Sequence, residues 1–307
     1  MAKRKYTGVS KWIEYVLARA LIVLLQRVPV GVSYRLGRGI GWVCYKLLKR
    51  RRQVVRRNLE IVNEWAQASQ VAFDDLNLPM ESQIREVFQR CGANLLSGFS
   101  LSGMSNERLA KHVELCGVEQ LRASLERGRG VIVLIAHMGP WEVLAHLTGL
   151  LGQQGIQAPA AAMYRPLNNF YLDRWYKSQR QKTGTLLLSR NDGFHKPVDF
   201  LRTVGGMLGI LADQRMRQGV AVPFFGQEAQ TTPIPGLFAR RSGASLVSLS
   251  LETVACARWR LTYDSVDSSA IDESSRRESY ALIANQALER AIAHSVCDGF
   301  WFHQRFK

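Results

Sequence analysis

Two side chains suited to acid–base chemistry, His137 and Glu142, flank a Gly-Pro turn in the segment VIVLIAHMGPWEVLAH. The apolar run from Val131 to His137 is typical of a strand buried on both faces, and Pro140 suits the first position of a following helix. At a strand–turn–helix junction the two side chains converge, so we expect Glu142 to accept a hydrogen bond from one imidazole nitrogen. The other nitrogen is then free to act as a general base. On spacing alone, a structural histidine followed by a helix-starting glutamate stays open as the alternative.

The elements that must position these residues alternate between strands and helices. The region from Asn58 to Gly117 is predicted to be helical. Beyond it we predict strands at 131–137, 158–164, 185–188 and 207–213, helices at 141–152, 168–183, 197–204 and 273–294, and a hairpin of 245–254 with 258–266. This order predicts an α/β fold with a mostly parallel central sheet flanked by helices. Ligands of such sheets collect at the carboxyl ends of the strands, where His137 is expected to lie.

The positive charge of the chain is concentrated at its N-terminus. Of a formal net charge of +16 over 307 residues, residues 1–57 contribute +14, from 15 Lys/Arg and a single acid, Glu14. A basic block of this kind suits an anionic membrane surface, nucleic acid or an acidic protein. Because the rest of the chain is nearly neutral and the N-terminus is apolar, nucleic acid is the least favoured of these partners.

The same N-terminal block is amphipathic. Apolar residues recur at helical spacing in WIEYVLARALIVLLQ, but the longest uncharged run, Ala20 to Gln26, is far short of the roughly 20 residues of a spanning helix. A second apolar stretch, Ile40 to Leu48, precedes the basic segment KRRRQVVRR, which suits anionic lipid. We expect residues 1–57 to attach in the plane of a membrane and residues 58–307 to form the catalytic domain. A true span, or a helix packed on the domain, is the alternative.

Other chemistries have little support in the sequence. The five cysteines are odd in number, widely spaced and without a CxxC pair, which argues against a disulfide framework or a zinc site. GFSLSG misses the spacing of a nucleophile elbow, and there is no P-loop or HExxH motif. We therefore expect no metal site.

An ordered series of motifs resembles one family, the bacterial lipid A biosynthesis late acyltransferases. HMGPWE resembles their His-x4-Glu signature. The other matching segments are VVRRNLEIV (54–62), YRPLNN (164–169) with Arg180 and Gly184 downstream, LADQR (211–215), VPFFGQEAQTTPIPGLFARRSGASLV (222–247) and the C-terminal WFHQRFK. The resemblance covers roughly Trp12 to Lys307. It departs from many members at Pro233-Ile234-Pro235 and at Ser248.

The resemblance implies an O-acyltransferase with a glycerolipid acyltransferase-like fold and no cofactor. It would move a fatty acyl group from an acyl-carrier-protein thioester to a hydroxyl of a lipid A precursor. His137 would take the hydroxyl proton, Glu142 would hold the imidazole, and Arg165 or backbone N–H groups near Gly139 would bind the oxyanion. The candidate substrate-binding residues are Arg165, Asp213, Arg215, Phe224, Phe225, Gly226, Thr231 and Thr232.

Rival interpretations remain for several of these residues and for the function. Asp213 is also suited to capping a turn or orienting an arginine. Phe224 and Phe225 are also typical of a core, and Thr231 and Thr232 are also suited to shaping a turn. The N-terminal region would hold the anionic inner membrane at its cytoplasmic face and attract the acidic carrier protein. The alternatives are acylation of another membrane lipid, a lysophospholipid or an aminolipid, and a non-catalytic basic binder of membrane or nucleic acid.

Overall fold

The computed structural model describes residues 6–189, 193–269, 271 and 276–306. Its N-terminal part consists of four helices, α1 (Val9–Arg27), α2 (Val30–Leu47), α3 (Lys49–Ser69) and α4 (Met80–Leu101). Helices α2 and α4 approach closely because glycines meet at their crossing, where a Cβ on Gly37 would overlap the carbonyl of Gly92. The boundary expected at residue 57 falls inside α3. The basic N-terminal segment therefore runs without a break into the rest of the fold.

The remaining chain forms a seven-stranded sheet flanked by helices. The strands are β1 (Val113–Cys116), β2 (Val131–Ile135), β3 (Ala160–Tyr164), β4 (Thr185–Ser189), β5 (Met207–Leu211), β8 (Ser245–Ala255) and β9 (Arg258–Ser265), and β6 (Val220–Phe224) pairs separately with β7 (Gln227–Thr231). The helices are α5 (Asn106–Leu109), α6 (Val118–Glu126), α7 (Leu147–Gln153), α8 (Phe170–Lys182), α9 (His195–Asp199), α10 (Ile234–Ser242) and α11 (Arg277–Ala293).

The strand order is β1-β9-β8-β2-β5-β3-β4, and every neighbouring pair is parallel except the β8–β9 hairpin. The predicted α/β fold with a mostly parallel sheet and flanking helices is confirmed, as is the hairpin. Strand β1 was not predicted, because it lies in a region whose pattern indicated helix, and its pairing with β9 spans more than 140 residues. The predicted helix at 141–152 begins as a 3₁₀ turn, Trp141–His146, before α7. The part of the predicted 273–294 helix at 273–275 lies outside the described residues.

The register of the central strands determines where the site forms. All five residues of β2 are buried, and β2 lies between β8 and β5. Ile135 pairs with Leu211 in the parallel β2–β5 ladder. Because both strands end at this pair, the residues two positions further on, His137 and Asp213, emerge side by side at the carboxyl edge of the sheet.

Across the described residues, no helix combines the length and the apolar character that crossing a membrane requires.

Candidate active site

His137 and Asp213 form a directly bonded pair at the carboxyl edge of the sheet. The Asp213 carboxylate accepts from the His137 ring at Nδ1, with Nδ1 and Oδ1 separated by 2.6 Å. Its second oxygen accepts from the backbone N–H of His137 at 3.0 Å. An ionised carboxylate only accepts hydrogen bonds, so Nδ1 carries the proton and Nε2 of the neutral ring carries the lone pair. The ring keeps about one-quarter of its surface exposed, which leaves Nε2 approachable.

The electrostatics of the pair favour a charged imidazole. Burial opposes protonation of His137, but the negative charge and hydrogen bond of Asp213 outweigh burial and raise the pKa of the imidazole. Burial likewise raises the pKa of Asp213, yet its interactions with His137 prevail and hold that pKa below the ordinary value. The pair is therefore arranged to accept a proton at Nε2 and to stabilise the resulting imidazolium.

The loop that follows His137 is held by the C-terminal segment. The His137 carbonyl accepts from the backbone N–H of Phe300 at 2.8 Å, and the N–H of Gly139 donates to the Asp298 carbonyl at 3.2 Å. The N–H of Met138 donates to Ala136. The expectation that loop amides near Gly139 would bind an oxyanion is therefore wrong in this structure, because these donors already have backbone partners.

A buried polar network fixes this C-terminal segment. The Asp298 carboxylate accepts from Asn94 at 2.7 Å, from the Thr253 hydroxyl at 2.6 Å and from Ser295 at 2.7 Å. Arg90 also donates to Asp298, at 3.1 Å. Because these bonds cross from α4 to β8 and the chain end, they hold rigidly the backbone against which the His137 loop rests.

Glu142 contacts an arginine rather than His137. Its carboxylate accepts from the guanidinium of Arg180 in α8 at 2.8 Å, and that guanidinium lies over the Tyr176 ring and donates to its hydroxyl. The predicted hydrogen bond from Glu142 to the imidazole is therefore wrong, and Asp213 occupies the orienting position. The 3₁₀ turn at Trp141–His146 directs Glu142 towards α4 and α8, and its side chain lies beside Gly98 of α4.

An apolar cleft lies along one face of the sheet beside the catalytic edge. Trp141 connects the cleft with the catalytic edge. Its ring centroid lies 6.2 Å from that of His137, and its side chain also lines the cleft. One row of paired strand positions, Val133–Gly209–Ala162, forms part of the wall, and its two small residues, Gly209 and Ala162, leave a depression. The cleft has a cavity volume of about 130 Å³ and is partly open to solvent.

A second, smaller pocket lies against His137 and Asp213, and its lining includes Asn58, His303 and Arg305. Arg305 is buried and donates to the Gln230 carbonyl and the Thr231 hydroxyl, both at 2.8 Å. In the part of the chain described, no carboxylate lies within ion-pair distance of it, and its Nε is without a hydrogen-bond partner. Burial lowers the pKa of this guanidinium to about 10, against the opposing charge of Asp213.

Two predicted substrate-binding arginines lie on the surface near this edge. Arg165 follows β3 and Arg215 follows β5, and both are exposed. Their position after strand ends is compatible with contact to a large substrate. Asp213, predicted to bind substrate or to cap a turn, is instead the partner of His137.

The other predicted substrate-binding residues belong to the β6–β7 hairpin and its surroundings. Phe224 and Phe225 are each 1% exposed, and Phe225 packs on Trp65 in the core. They are absent from the lining of the apolar cleft. Phe224 instead lines the small pocket beside His137 and Asp213, whereas Phe225 and Gly226 line neither this pocket nor the cleft. Contact of these residues with an acyl chain stays a prediction. Gly226 takes a positive φ of 71° at the exposed hairpin turn.

The predicted threonines have structural partners. Thr231 is fully buried and bonded to Asn285 and Arg305, and Thr232 accepts from the N–H of Ile234 at the start of α10. Thr231 therefore has a structural role, and contact of the half-buried Thr232 with substrate stays a prediction.

Sequence reasoning missed the functional setting of Arg180, Trp141 and Asn58. Arg180 belonged to a matching motif but carried no assigned role, and its pairing with Glu142 depends on how α8 packs. Trp141 lies inside the His-x4-Glu segment, so its proximity to His137 was a usable signal. Asn58 bonds the Trp301 and His303 carbonyls at 2.8 Å each, a contact across more than 240 residues that no local pattern indicates.

Comparison with known proteins gives consistent matches. The family model described as bacterial lipid A biosynthesis acyltransferase matches residues 2–307. A lipid A biosynthesis lauroyltransferase of Escherichia coli K12 is 26% identical, over 96% of this chain and 92% of its own. A lipid A biosynthesis palmitoleoyltransferase of the same organism is 25% identical, over 99% and 94%. A phosphatidylinositol mannoside acyltransferase of Mycolicibacterium smegmatis is 26% identical over 48% of each chain.

Proposed function

We propose a mechanism for this chain, which belongs to the bacterial lipid A biosynthesis acyltransferase family. In this mechanism the acyltransferase uses His137 as a general base. The reaction moves a fatty acyl group from an acyl-carrier-protein thioester to a hydroxyl of a lipid A precursor. The observation that carries the proposal is the His137–Asp213 pair, whose Nδ1–Oδ1 distance is 2.6 Å and whose Nε2 is left unbonded among the described residues.

The chemistry follows from the tautomer that Asp213 imposes. Nε2 of His137 takes the proton of the acceptor hydroxyl while the hydroxyl oxygen attacks the thioester carbonyl. The tetrahedral intermediate then expels the thiolate of the carrier, and the imidazolium returns its proton to that sulfur. Asp213 holds the ring and stabilises its positive charge without taking the proton. A positioned base of this kind contributes roughly 10²–10⁴-fold to the rate.

Arg180 is the side chain we assign to the developing oxyanion. Its guanidinium lines the cleft together with Trp141, which contacts the His137 ring. Glu142 holds it at 2.8 Å, and both side chains are largely buried, so the donor is preorganised in a site of low dielectric. Glu142 thus acts through Arg180 as a positioning residue, which differs from the role expected from its spacing to His137.

The apolar cleft suits the fatty acyl chain of the donor. Its walls are mostly aliphatic and aromatic, and they include Trp141, whose ring neighbours that of His137. Burying a methylene in such a cleft contributes about 0.8 kcal/mol. A chain lying along the sheet would place its thioester end near His137.

The exposed faces of α1 and α2 suit a membrane surface. Apolar residues recur at one-turn spacing on each helix and are exposed, namely Val9, Ile13, Leu17, Leu21 and Leu24 on α1 and Leu36, Ile40, Val43 and Leu47 on α2. Exposed cations flank them, namely Arg27, Arg35, Lys46 and Lys49. We propose that this face lies in the plane of an anionic bilayer, at the cytoplasmic side of the inner membrane, and that the same charges attract the acidic carrier protein.

An acyl-transfer assay with purified protein tests the catalytic proposal. His137→Ala is expected to lower transfer at least 10²-fold with an unchanged melting temperature. His294→Ala is the matched control, since His294 contacts Asp264 at 3.2 Å in a second His–Asp pair outside the cleft. Full activity in the His137 variant would refute the mechanism. Mass spectrometry of total lipids from a deletion strain identifies the acceptor, and loss of acyl chains from a different membrane lipid would replace lipid A with that lipid.

Vesicle sedimentation tests the membrane proposal. Binding to anionic vesicles is expected to fall with added salt and with Leu17→Asp/Leu21→Asp, whereas Val254→Asp, an exposed apolar position on β8, leaves it unchanged. Binding that neither salt nor the α1 variant weakens would contradict the assignment of this face.

A further inference from the structure

A basic groove lies between the first turns of α3 and the C-terminal segment. Arg50, Val54, Arg57 and Asn58 stand at i, i+4, i+7 and i+8, so they share one face of α3. The groove is lined by this face, by Arg51 and Gln53, and by Gln304 and Phe306. It is therefore a concave surface with three guanidinium groups on one side.

The charges of this groove lack acidic partners. Within the described ranges, no carboxylate lies within 4 Å of the side-chain nitrogens of Arg50 or Arg57, although Arg56, one position along the same helix, pairs with Glu81. Arg51 donates to the carbonyl of Phe302 at 3.1 Å, which ties the C-terminal segment to α3. A guanidinium offers a planar fork of donors that matches phosphate oxygens, so unpaired arginines on one face suit a phosphate group.

The groove adjoins the small pocket at the catalytic edge through one buried residue. Asn58 lines both the groove and the small pocket that contains His137 and Asp213. Its amide bonds the Trp301 and His303 carbonyls, which fixes the wall that the two spaces share.

Arg305 places a further positive charge beside the small pocket. It lies in the same C-terminal segment as the groove residue Gln304, but its side chain is buried beside the small pocket. It has no carboxylate within ion-pair distance among the described residues, and its Nε has no partner. A buried cation without a counter-ion is costly, and a bound anion nearby lowers that cost. The small pocket therefore adds one buried guanidinium to the three that line the groove.

We propose that this groove binds a phosphate ester of a substrate and so holds that substrate on the side of His137 away from the apolar cleft. The inference rests on the proposed acyl transfer and adds to it the chemical group that the arginines recognise. Two sources carry this chemistry, a phosphate on the headgroup of the acceptor lipid and the phosphodiester of the carrier's pantetheine arm.

The test compares Arg50→Gln/Arg57→Gln with Arg240→Gln/Arg241→Gln, two exposed arginines of α10 that give the same change in charge. The groove variant is expected to raise KM for the phosphate-bearing substrate roughly tenfold, the size of a lost charge-assisted hydrogen bond. Its kcat at saturation is unchanged, because the phosphate is remote from the bond that reacts.

Substrates without phosphate identify the source. If the acceptor supplies the phosphate, removing it from the acceptor raises KM in the wild type but not further in the groove variant. If the donor supplies it, the same loss of additivity appears with acyl-pantetheine in place of the acyl-carrier protein. The proposal would be overturned if the arginine substitutions and the removal of phosphate changed KM additively with both substrates. It would also be overturned if the α10 control changed KM as much as the groove variant.

A binding measurement separates this proposal from the catalytic one. Inorganic phosphate is expected to raise the melting temperature of the wild type and of the α10 control, and not of the groove variant. If the wild type transfers no acyl group but shows this protection, the function fails and the phosphate site stands. If phosphate protects the groove variant equally, the site fails whatever the activity.

Discussion

Replacing Asp213 with asparagine changes the orienting partner of His137 while keeping its shape. The wild-type carboxylate makes two bonds, to Nδ1 at 2.6 Å and to the backbone N–H of His137 at 3.0 Å. In the asparagine variant, the amide oxygen is able to keep the backbone bond. Its NH₂ group then faces Nδ1 and donates to it, which moves the ring proton to Nε2 and removes the lone pair that the mechanism needs.

The magnitude follows from these two losses. The charge-assisted bond to the imidazolium is worth about 1.5–3 kcal/mol, or roughly 10–10²-fold in rate. The wrong tautomer of His137 lowers the rate further. In Ser-His-Asp enzymes, replacing the aspartate with asparagine lowers kcat by about 10⁴-fold. We therefore expect kcat for acyl transfer to fall by about 10²–10⁴-fold, with a normal far-UV spectrum.

The pH profile gives a second and independent measurement. Transfer needs a neutral His137, so kcat/KM rises with pH through the pKa of this imidazole. In the wild type that pKa is raised, because the charge of Asp213 outweighs burial. Asparagine removes the charge and leaves burial, so the acidic limb of the residual activity is expected to move to lower pH. Asp264→Asn, in the other His–Asp pair, is the control and leaves both rate and profile unchanged.

Two results would refute the reasoning on Asp213. One is a variant that retains more than a tenth of the wild-type kcat. The other is an acidic limb that stays in place or moves to higher pH, since either would mean that Asp213 does not set the protonation of His137.

Three further predictions concern other parts of the molecule. Glu142→Gln is expected to lower kcat by roughly 10–10²-fold through its lost ion pair, and a shift of the His137 acidic limb in that variant would contradict the assigned contact. Gly209→Val places a side chain in the cleft, and the new Cβ fits because its nearest neighbour, Ile135, is 3.4 Å away. The ratio of kcat/KM for a shorter acyl donor to that for a longer one should rise, by about 1–3 kcal/mol for each methylene that the valine excludes. An unchanged ratio would mean that the acyl chain does not bind in this cleft. Burial raises the pKa of Glu289 to about 7, so stability is lost as pH rises from about 4.5 to about 7, and Glu289→Gln should gain about 1–3 kcal/mol at pH 8 and nothing at pH 4 by thermal unfolding. An equal gain at both pH values would show that ionisation is not the cause.

The local character of the fold was readable from the chain. Continuous β-branched runs predicted the buried central strands, and β2 and β5 lie within two residues of their predicted bounds. The alternation of strands and helices predicted the parallel sheet. Strand β1 was not readable, since four residues between helices have a strand identity only through pairing with β9. The β6–β7 hairpin was not predicted, because its segment was considered only as a source of candidate substrate-binding residues.

Interpretation of the candidate site succeeded where the signal was local and failed where packing decided. The Gly-Pro turn after a buried strand predicted that His137 lies at the carboxyl edge. The same spacing suggested that Glu142 turns back to the imidazole, but the 3₁₀ turn directs it to Arg180 on α8. Two consecutive phenylalanines in an apolar segment are equally typical of a ligand wall and of a core. The hairpin buries both, and Phe224 also lines the small pocket beside His137.

By itself the sequence determined the histidine at a strand end, the basic amphipathic N-terminus and the alternating α/β order, because each depends on neighbours within a few turns of chain. Tertiary structure decided which acid serves His137, since the in-register pairing of β2 with β5 brings in Asp213, 76 residues further along the chain. It also decided where the apolar cleft lies, because Gly209 and Ala162 form a depression only when their strands align side by side. Such contacts depend on strand register and helix packing, which no short segment of the chain encodes.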